Sequence, residues 1–503
     1  MVSTPSDDGL FPEELVERVE MVDDGGVEAG AGVNKRFRAF EPNAVMLVPP
    51  SLDEWLPLTH LSRFVADVVE TQLDLSRFYA AYGKTKGQPP YDPRLMVRVL
   101  LYGYCVGVRS SRELERACQD VVAFRWLAAQ QNPDFRSIGR FRKRHLAALG
   151  NVFLQALELC RAAGMVSLGQ VALDGTKVRA NASRHKAMSY QRLTAKQIVL
   201  AAEVSDLLAQ ADAIDKGEDV RFGKDKRGDE LPAELARRES RLVKLAAARA
   251  QMEADTAEKA RKDAEAKARK HGDDDDAAAE KGEIAAKSAV VKPTEQRNFT
   301  DPDSRIMKTN DGAFQYCYTG QAVVDADHQV IIVNELNNVP VDVQQLIPLI
   351  EKTREAMGTH PRQVLVDTGY CSNSNLEYVQ GVEKASGGQT EFFIATKRQK
   401  HDATDEADTP VRPAAKGPFP VNATLTQRMA IKLKTERGAA AYSRRKVIVE
   451  PVFGQIHTRQ GKFLLLRGLQ QAQHEWDLIA GCHNLMKLFT MQSGTARNIQ
   501  PAT

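Results

Sequence analysis

The sequence predicts a mixed α/β fold with an all-helical N-terminal domain and a long charged helical insertion. Three observations predict it. Residues 49–165 space their apolar side chains by three and four, with capped helix starts and no strand pattern. Short apolar runs then appear at 171–173, 312–324, 330–336, 363–366 and 391–395, with helical segments among them. Between the first and second of these runs, residues 186–295 are dominated by Ala, Glu, Lys, Arg and Asp.

The 503 residues are enough for several domains and a sizeable core, and 43% hydrophobic with 27% charged is a globular composition. The net charge of +3 does not diagnose a nucleic-acid partner, so local clusters must carry that argument. The six cysteines (Cys105, Cys118, Cys160, Cys317, Cys371, Cys482) show no paired or metal-ligand spacing and read as small buried hydrophobes. That usage suits a reducing cytosol. No apolar leader and no membrane-length apolar run is seen, so a cytoplasmic protein is expected.

Residues 1–48 are polar, Gly-rich and acidic early on, and read as a flexible arm. Leu61, Phe64, Val65, Val68 and Val69 mark a first helix. Asp92 and Pro93 start a second, as N-cap and first helical residue, and Gly107 ends it. Ser110 and Ser111 cap a third, carrying Leu114, Cys118, Val121 and Val122. Ser137 is expected to cap a long helix running to about Cys160. Arg136, Arg140, Arg142, Lys143, Arg144 and His145 cluster near its start, which suits either a DNA-backbone contact or an ordinary solvated face.

The insertion reads as long helices, with Asp273 to Asp276 as a solvated loop. Strands resume as a hairpin, with Asp325 and Asp327 in its turn. Asp301 and Asp303 read as loop or cap residues, and His185 as a surface residue. Lys397, Arg398 and Lys400 follow the last strand, and a Pro- and Ala-rich loop runs to about Val421. A helix starts near Thr424, and another near Ser443 carries Arg444, Arg445, Lys446 and Glu450. Pro451 is expected to kink that helix or begin a new one. A last amphipathic helix spans Glu475 to Phe489, and 491–503 read as a flexible tail.

Three acids carry the chemistry. Asp174 ends the buried run Val171 to Leu173, with Gly175 behind it and the cations Lys177 and Arg179 close by. Alone, Asp-Gly is a common hairpin turn. The same strand, Asp and Gly recur at Val366-Asp367-Thr-Gly369. Glu450 alone reads as a surface helix residue. The element order lets Asp174 and Asp367 share one end of neighbouring strands, within reach of Glu450 on a late helix. Converging carboxylates need counter-charge, and two Mg²⁺ or Mn²⁺ ions on oxygen ligands suit in-line phosphoryl displacement.

Leu173-Asp-Gly-Thr-Lys177, Val366-Asp-Thr-Gly-Tyr370 and Tyr442-x-x-Arg445…Val449-Glu-Pro-Val-Phe-Gly454 together resemble insertion-sequence DDE transposases. Leu466-Arg-Gly-Leu469, Glu475 and His483-Asn-Leu485 are similar to that family's tail. The resemblance covers about 50–490, and the C-terminal signature is its most specific part. It implies an RNase H-like mixed sheet flanked by helices over 166–490, with Asp174, Asp367 and Glu450 as the metal-binding, catalytic triad. It implies that Tyr442 and Arg445 position DNA. The family commonly places Lys or Arg seven residues after the Glu, where this chain has His457, with Arg459 two residues on. Either Arg459 substitutes or contact with the transferred strand is weaker.

The function implied is metal-dependent cleavage and strand transfer at the terminal inverted repeats of an insertion sequence. Double-stranded DNA is the partner, with a homo-oligomer in the DNA complex and the nucleoid as the place of action. A DNA-binding derivative without catalysis, and a metal-dependent nuclease of the same fold, remain as alternatives.

Overall fold

The computed structural model describes residues 51–82, 89–222, 233–309, 311–396 and 422–499, without the side chains of 207–222, 233–237, 270 and 495–499. The expected arm, and the stretch from Lys397, Arg398 and Lys400 to Val421, lie outside the described residues.

The strands in chain order are β1 (Gln170–Arg179), β2 (Ala187–Ser189), β3 (Gln296–Asn298), β4 (Arg305–Lys308), β5 (Phe314–Asp325), β6 (Ile331–Asn337), β7 (Gln363–Val366) and β8 (Glu391–Ile394). β1 is central. It pairs antiparallel with β5 on one side and parallel with β7 on the other, and β8 extends the parallel side. β5 is long enough to be shared along its far edge, first with β4 and then with β6. Val171 to Leu173, Val364 to Val366 and Phe392 to Ile394 are fully or almost fully buried. Helices cover both faces of these strands, which is why they read as unbroken apolar runs.

The N-terminal helices pack onto this sheet through one continuous apolar core, which joins Leu100 and Leu101 to Tyr318, Val449 and Trp476. Asp92 caps its helix by accepting from the Arg94 amide, and Gly107 closes it at φ 87°. The long helix expected from Ser137 to Cys160 is instead three: Phe135–Arg144, Leu146–Gly150 and Val152–Ala162. Asp134 is its cap, accepting from the amides of Arg136 and Ser137. The first break falls at His145, whose buried ring packs against Phe78, Tyr82 and Phe141. Tertiary packing overrides local helix propensity there.

Between β1 and β5, the chain makes three helices, Tyr190–Phe222, Ala233–Lys270 and Asp275–Ser288. The ribbon β2–β3 closes their base. They have a small core of their own, with Leu193, Leu200, Leu245, Met252 and Val291. The Asp273 to Asp276 run is not simply a loop. Asp274 caps the third helix, and Asp275 and Asp276 fill its first turn, where the helix dipole favours negative charge.

The Glu450 helix runs unbroken from Arg445 to Gln460, through Pro451. Proline cannot donate to the carbonyl four residues back, at Val447. Gln329, in the β5–β6 turn, donates to that carbonyl at 3.0 Å instead. The last helix spans Leu469–Ile499, longer than expected, and takes up part of the stretch read as a tail. Asn484 on it grips the edge of β6, accepting from the Ile331 amide and donating to the Ile331 carbonyl, both at 2.9 Å. Its Glu475 is wholly buried, paired with Arg109 at 3.3 Å, and accepts from the amides of Leu465 and Leu466. No helix among the described residues is long and apolar enough to cross a membrane.

Candidate active site

The register builds the site. Leu173 of β1 lies beside Val366 of β7 in a parallel pair, so the next residues, Asp174 and Asp367, leave the core side by side. Asp174 still pairs through its backbone with Ala322 of β5, and Asp367 opens a single turn over Thr368–Tyr370. Alternation along β1 sends Asp174 and Thr176 to one face. The Glu450 helix covers that face, with Arg445 against Asp174 and His457 against Thr176.

Arg445 stands at the middle of the acids. Its guanidinium is 2.8 Å from Asp174, 3.6 Å from Asp367 and 4.0 Å from Glu450. The arginine side chain is 8% exposed, against 22%, 44% and 56% for the three acids in that order. The cation is therefore the buried partner, and the acids open progressively to solvent. Burial pushes the Asp174 carboxyl up to about 6, against the pull of Arg445 and the Gly175 amide. Burial also opposes the charge on Arg445, yet Asp174, Tyr442 and Asp367 hold its pKa above the ordinary value. Burial raises the Tyr442 phenol, which lies beside the same guanidinium.

The three carboxylates stand around Arg445 rather than around a shared point. Among the described residues, no group of three or more His, Cys, Asp or Glu side chains has the spacing to hold a metal ion. The donor chemistry nonetheless fits a hard divalent cation, because Asp174, Asp367 and Glu450 all offer carboxylate oxygens. Two of these come from adjacent strand ends, where the sheet holds them together. Arg445 already supplies the positive charge such a cluster needs.

The other residues singled out in the sequence fall into separate places. Lys177 donates to the Lys308 carbonyl at 2.7 Å. Exposed Arg179 lies about 17 Å along β1 from Asp174 at the usual strand rise, at a cleft of about 520 Å³ with Arg184, Tyr316 and Phe463. His457 is half-buried with its Nε2 3.4 Å from the Thr176 hydroxyl. Burial, with Lys462 nearby, lowers its pKa to about 4, so at neutral pH it carries no charge for a phosphate. Arg459 points elsewhere. It lies with His483 and the last helix, around a gap lined by Tyr104, Ile479 and Met486.

On the helix Phe135–Arg144, Arg142 is a structural tie that donates to the Arg109 carbonyl at 2.9 Å and the Ser111 hydroxyl at 3.1 Å. Lys143 and Arg140 are exposed, and Arg144 lies over the Tyr82 ring. Arg140 and Arg144 line a groove of about 810 Å³ with Tyr82, Tyr91 and Ser137.

Sequence reasoning missed one acid here. Asp342, after β6, accepts from Gln321 Nε2 at 2.6 Å and lies against Gly175 and Gly369. Burial raises its pKa, opposed by Gln321 and Lys177. The signal in the sequence was a glycine behind each strand-end aspartate.

Two family models match the chain: the Transposase domain (DUF772) over residues 50–144, and the Transposase DDE domain over residues 288–485. Asp367, Arg445 and Glu450 lie inside the second match, while Asp174 lies ahead of it, on the far side of the helical insertion. No curated protein and no solved structure matches the chain. The DDE domain implies an RNase H-like fold, and the sheet has the mixed order that fold requires, with a central strand between an antiparallel hairpin and two parallel strands. The chain thus carries a match to a transposase domain followed by a match to a transposase DDE domain on such a sheet, the arrangement consistent with an insertion-sequence DDE transposase.

Proposed function

We propose that this chain cleaves DNA at the terminal inverted repeats of an insertion sequence and transfers the freed end to target DNA. A water attacks the phosphodiester at the element boundary and releases a 3′-hydroxyl, leaving a 5′-phosphate on the flanking strand. That hydroxyl then attacks a phosphodiester of the target and displaces the target strand's 3′-oxygen, which leaves as a hydroxyl. The observation that carries this reading is the convergence of Asp174, Asp367 and Glu450, from two strand ends and one helix, on Arg445.

DDE transposases generally use divalent metal ions. Asp174, Asp367 and Glu450 are the residues that would hold Mg²⁺ or Mn²⁺, two ions in all, supplying Lewis acidity to the attacking and leaving oxygens. Arg445 balances the acids and orders them, and Tyr442 beside it lies where a DNA strand would approach. Lys177, Arg179 and the exposed Arg140, Lys143 and Arg144 of the helix Phe135–Arg144 supply backbone contacts, the sequence-independent part of DNA affinity. His457 follows the triad as a further DNA-contact candidate, while Arg459, the expected substitute, lies apart beside the last helix. Holding two element ends at once calls for at least a dimer in the DNA complex. We place the reaction in the cytoplasm, at the nucleoid.

The test is cleavage of a labelled duplex carrying the element's own end, with Mg²⁺ or Mn²⁺. Metal-dependent cutting at the boundary, lost in Asp174→Ala, Asp367→Ala and Glu450→Ala while DNA binding persists, supports the reading. Cutting that survives all three substitutions overturns the triad. A second reading, cleavage without joining, is favoured by the uncharged His457, and absence of a joined product with target DNA would select it. Binding of ends without cutting under either metal would select a non-catalytic DNA-binding derivative.

A further inference from the structure

Both strand-end aspartates are followed by a glycine, Gly175 directly and Gly369 two residues on. Neither glycine has a positive φ. Backbone handedness therefore does not call for glycine at either place, and the reason must be close approach. The group that approaches is the same in both cases. A Cβ on Gly175 would meet Asp342 Oδ1 at 3.0 Å and Gln321 Nε2 at 2.7 Å. A Cβ on Gly369 would meet Asp342 Oδ2 at 3.3 Å. One carboxylate thus lies between the backbones that carry Asp174 and Asp367.

That carboxylate is itself held. Gln321, the β5 partner of Gly175 in the register, donates to Asp342 Oδ1 at 2.6 Å. The hydroxyl of buried Tyr370 donates in turn to Gln321 Oε1. Tyr370 follows Gly369, so the hydrogen bonds run from the turn after β7, through Gln321 on β5, to Asp342. We propose that Asp342 sets the separation of Asp174 and Asp367, as a positioning residue wedged between Gly175 and Gly369. It acts through the two aspartates, and the inference rests on the triad reading above. Supporting groups of this kind typically change metal affinity or activity by about 10–100-fold when removed.

The experiment uses the full chain and two readouts, Mn²⁺ binding by calorimetry without DNA and cleavage of the labelled element end. Asp342→Ala is expected to weaken Mn²⁺ binding about 10-fold and slow cleavage by a similar factor or more. Asp342→Asn keeps the acceptor for Gln321 and the bulk between the glycines, and is expected to retain most of both. Gly369→Ala is expected to weaken Mn²⁺ binding in the natural background and to add nothing in the Asp342→Ala background, the mark of two residues in direct contact. Equal losses in Asp342→Asn and Asp342→Ala overturn the proposal in favour of a charge requirement. Additive effects of Gly369→Ala and Asp342→Ala, or undiminished Mn²⁺ binding in Asp342→Ala, also overturn it. If Asp342→Ala does not fold, the other two variants decide: binding retained in Asp342→Asn and weakened in Gly369→Ala supports the wedge, and any other pair of results overturns it. Asp174→Ala separates the two levels. If it binds Mn²⁺ as the unsubstituted protein does, the triad reading fails, and the wedge with it.

Discussion

Arg445 donates to Asp174 at 2.8 Å while its own side chain is almost fully buried. A residue that the family resemblance assigns to DNA is, in this fold, first of all the counter-charge of the acids. Arg445→Gln is expected to lower stability by about 2 kcal/mol, less than a fully buried pair would, because Asp174 is partly solvated. Urea unfolding measures this. Mg²⁺ should recover part of the loss, since a cation then stands in for the guanidinium. Arg445→Lys should fall between, because a single ammonium cannot span Asp174 and Asp367 as a planar fork does. Equal stability of all three proteins would refute the counter-charge role.

His457 adds an acid-side instability. Its folded pKa, about 4, lies below its ordinary 6.5. The neutral ring favours the fold, so its contribution is fully present above about pH 6.5 and is lost as pH falls towards 4. His457→Gln should therefore unfold less steeply with acid across that window. Parallel pH curves for the two proteins would contradict the burial assigned to this ring.

The basic residues separate into ties and free cations, and salt dependence distinguishes them. Each phosphate contact contributes a slope of about −0.9 in log K against log salt. Lys143→Ala and Arg140→Ala should flatten that slope and leave stability alone. Arg142→Ala should do the reverse, since its guanidinium holds the Arg109 carbonyl and the Ser111 hydroxyl. His457→Lys should steepen the slope by about one contact if the position faces DNA. An unchanged slope would place it away from the phosphates.

Asn484 tests the clamp on the sheet edge. Asn484→Leu leaves the Ile331 amide and carbonyl without this partner in a buried place. Each unsatisfied group costs roughly 1–3 kcal/mol, so a loss of about 3 kcal/mol is expected in urea unfolding. Asn484→Asp keeps the acceptor but not the donor and should recover part of it. A neutral Asn484→Leu would show that the Ile331 edge of β6 does not depend on this clamp.

β1, β5, β6, β7 and β8 were legible as local apolar runs, and the two strand-end aspartates as a charged stop with a glycine behind it, whereas the short β2, β3 and β4 carry no such run. Helix starts such as Asp92-Pro93, and the stop at Gly107, were legible for the same reason. The break at His145 was not, because three aromatic neighbours from other turns and another helix make it. Unbroken passage through Pro451 was not, because the substitute donor, Gln329, comes from a distant hairpin.

By itself, the sequence determined which residues are acidic and which longer apolar runs become strands, and it singled out Asp174, Asp367 and Glu450 as candidates for one site. Only the tertiary structure decided what stands among them. It put Arg445 between the acids, turned Arg459 away and made Arg142 a tie. It also brought Asp342 from the loop after β6 between two glycines. The reason is physical. A strand's length and ending are written in neighbouring residues, whereas a counter-charge or a wedge depends on which distant side chain the packing carries within 3 or 4 Å.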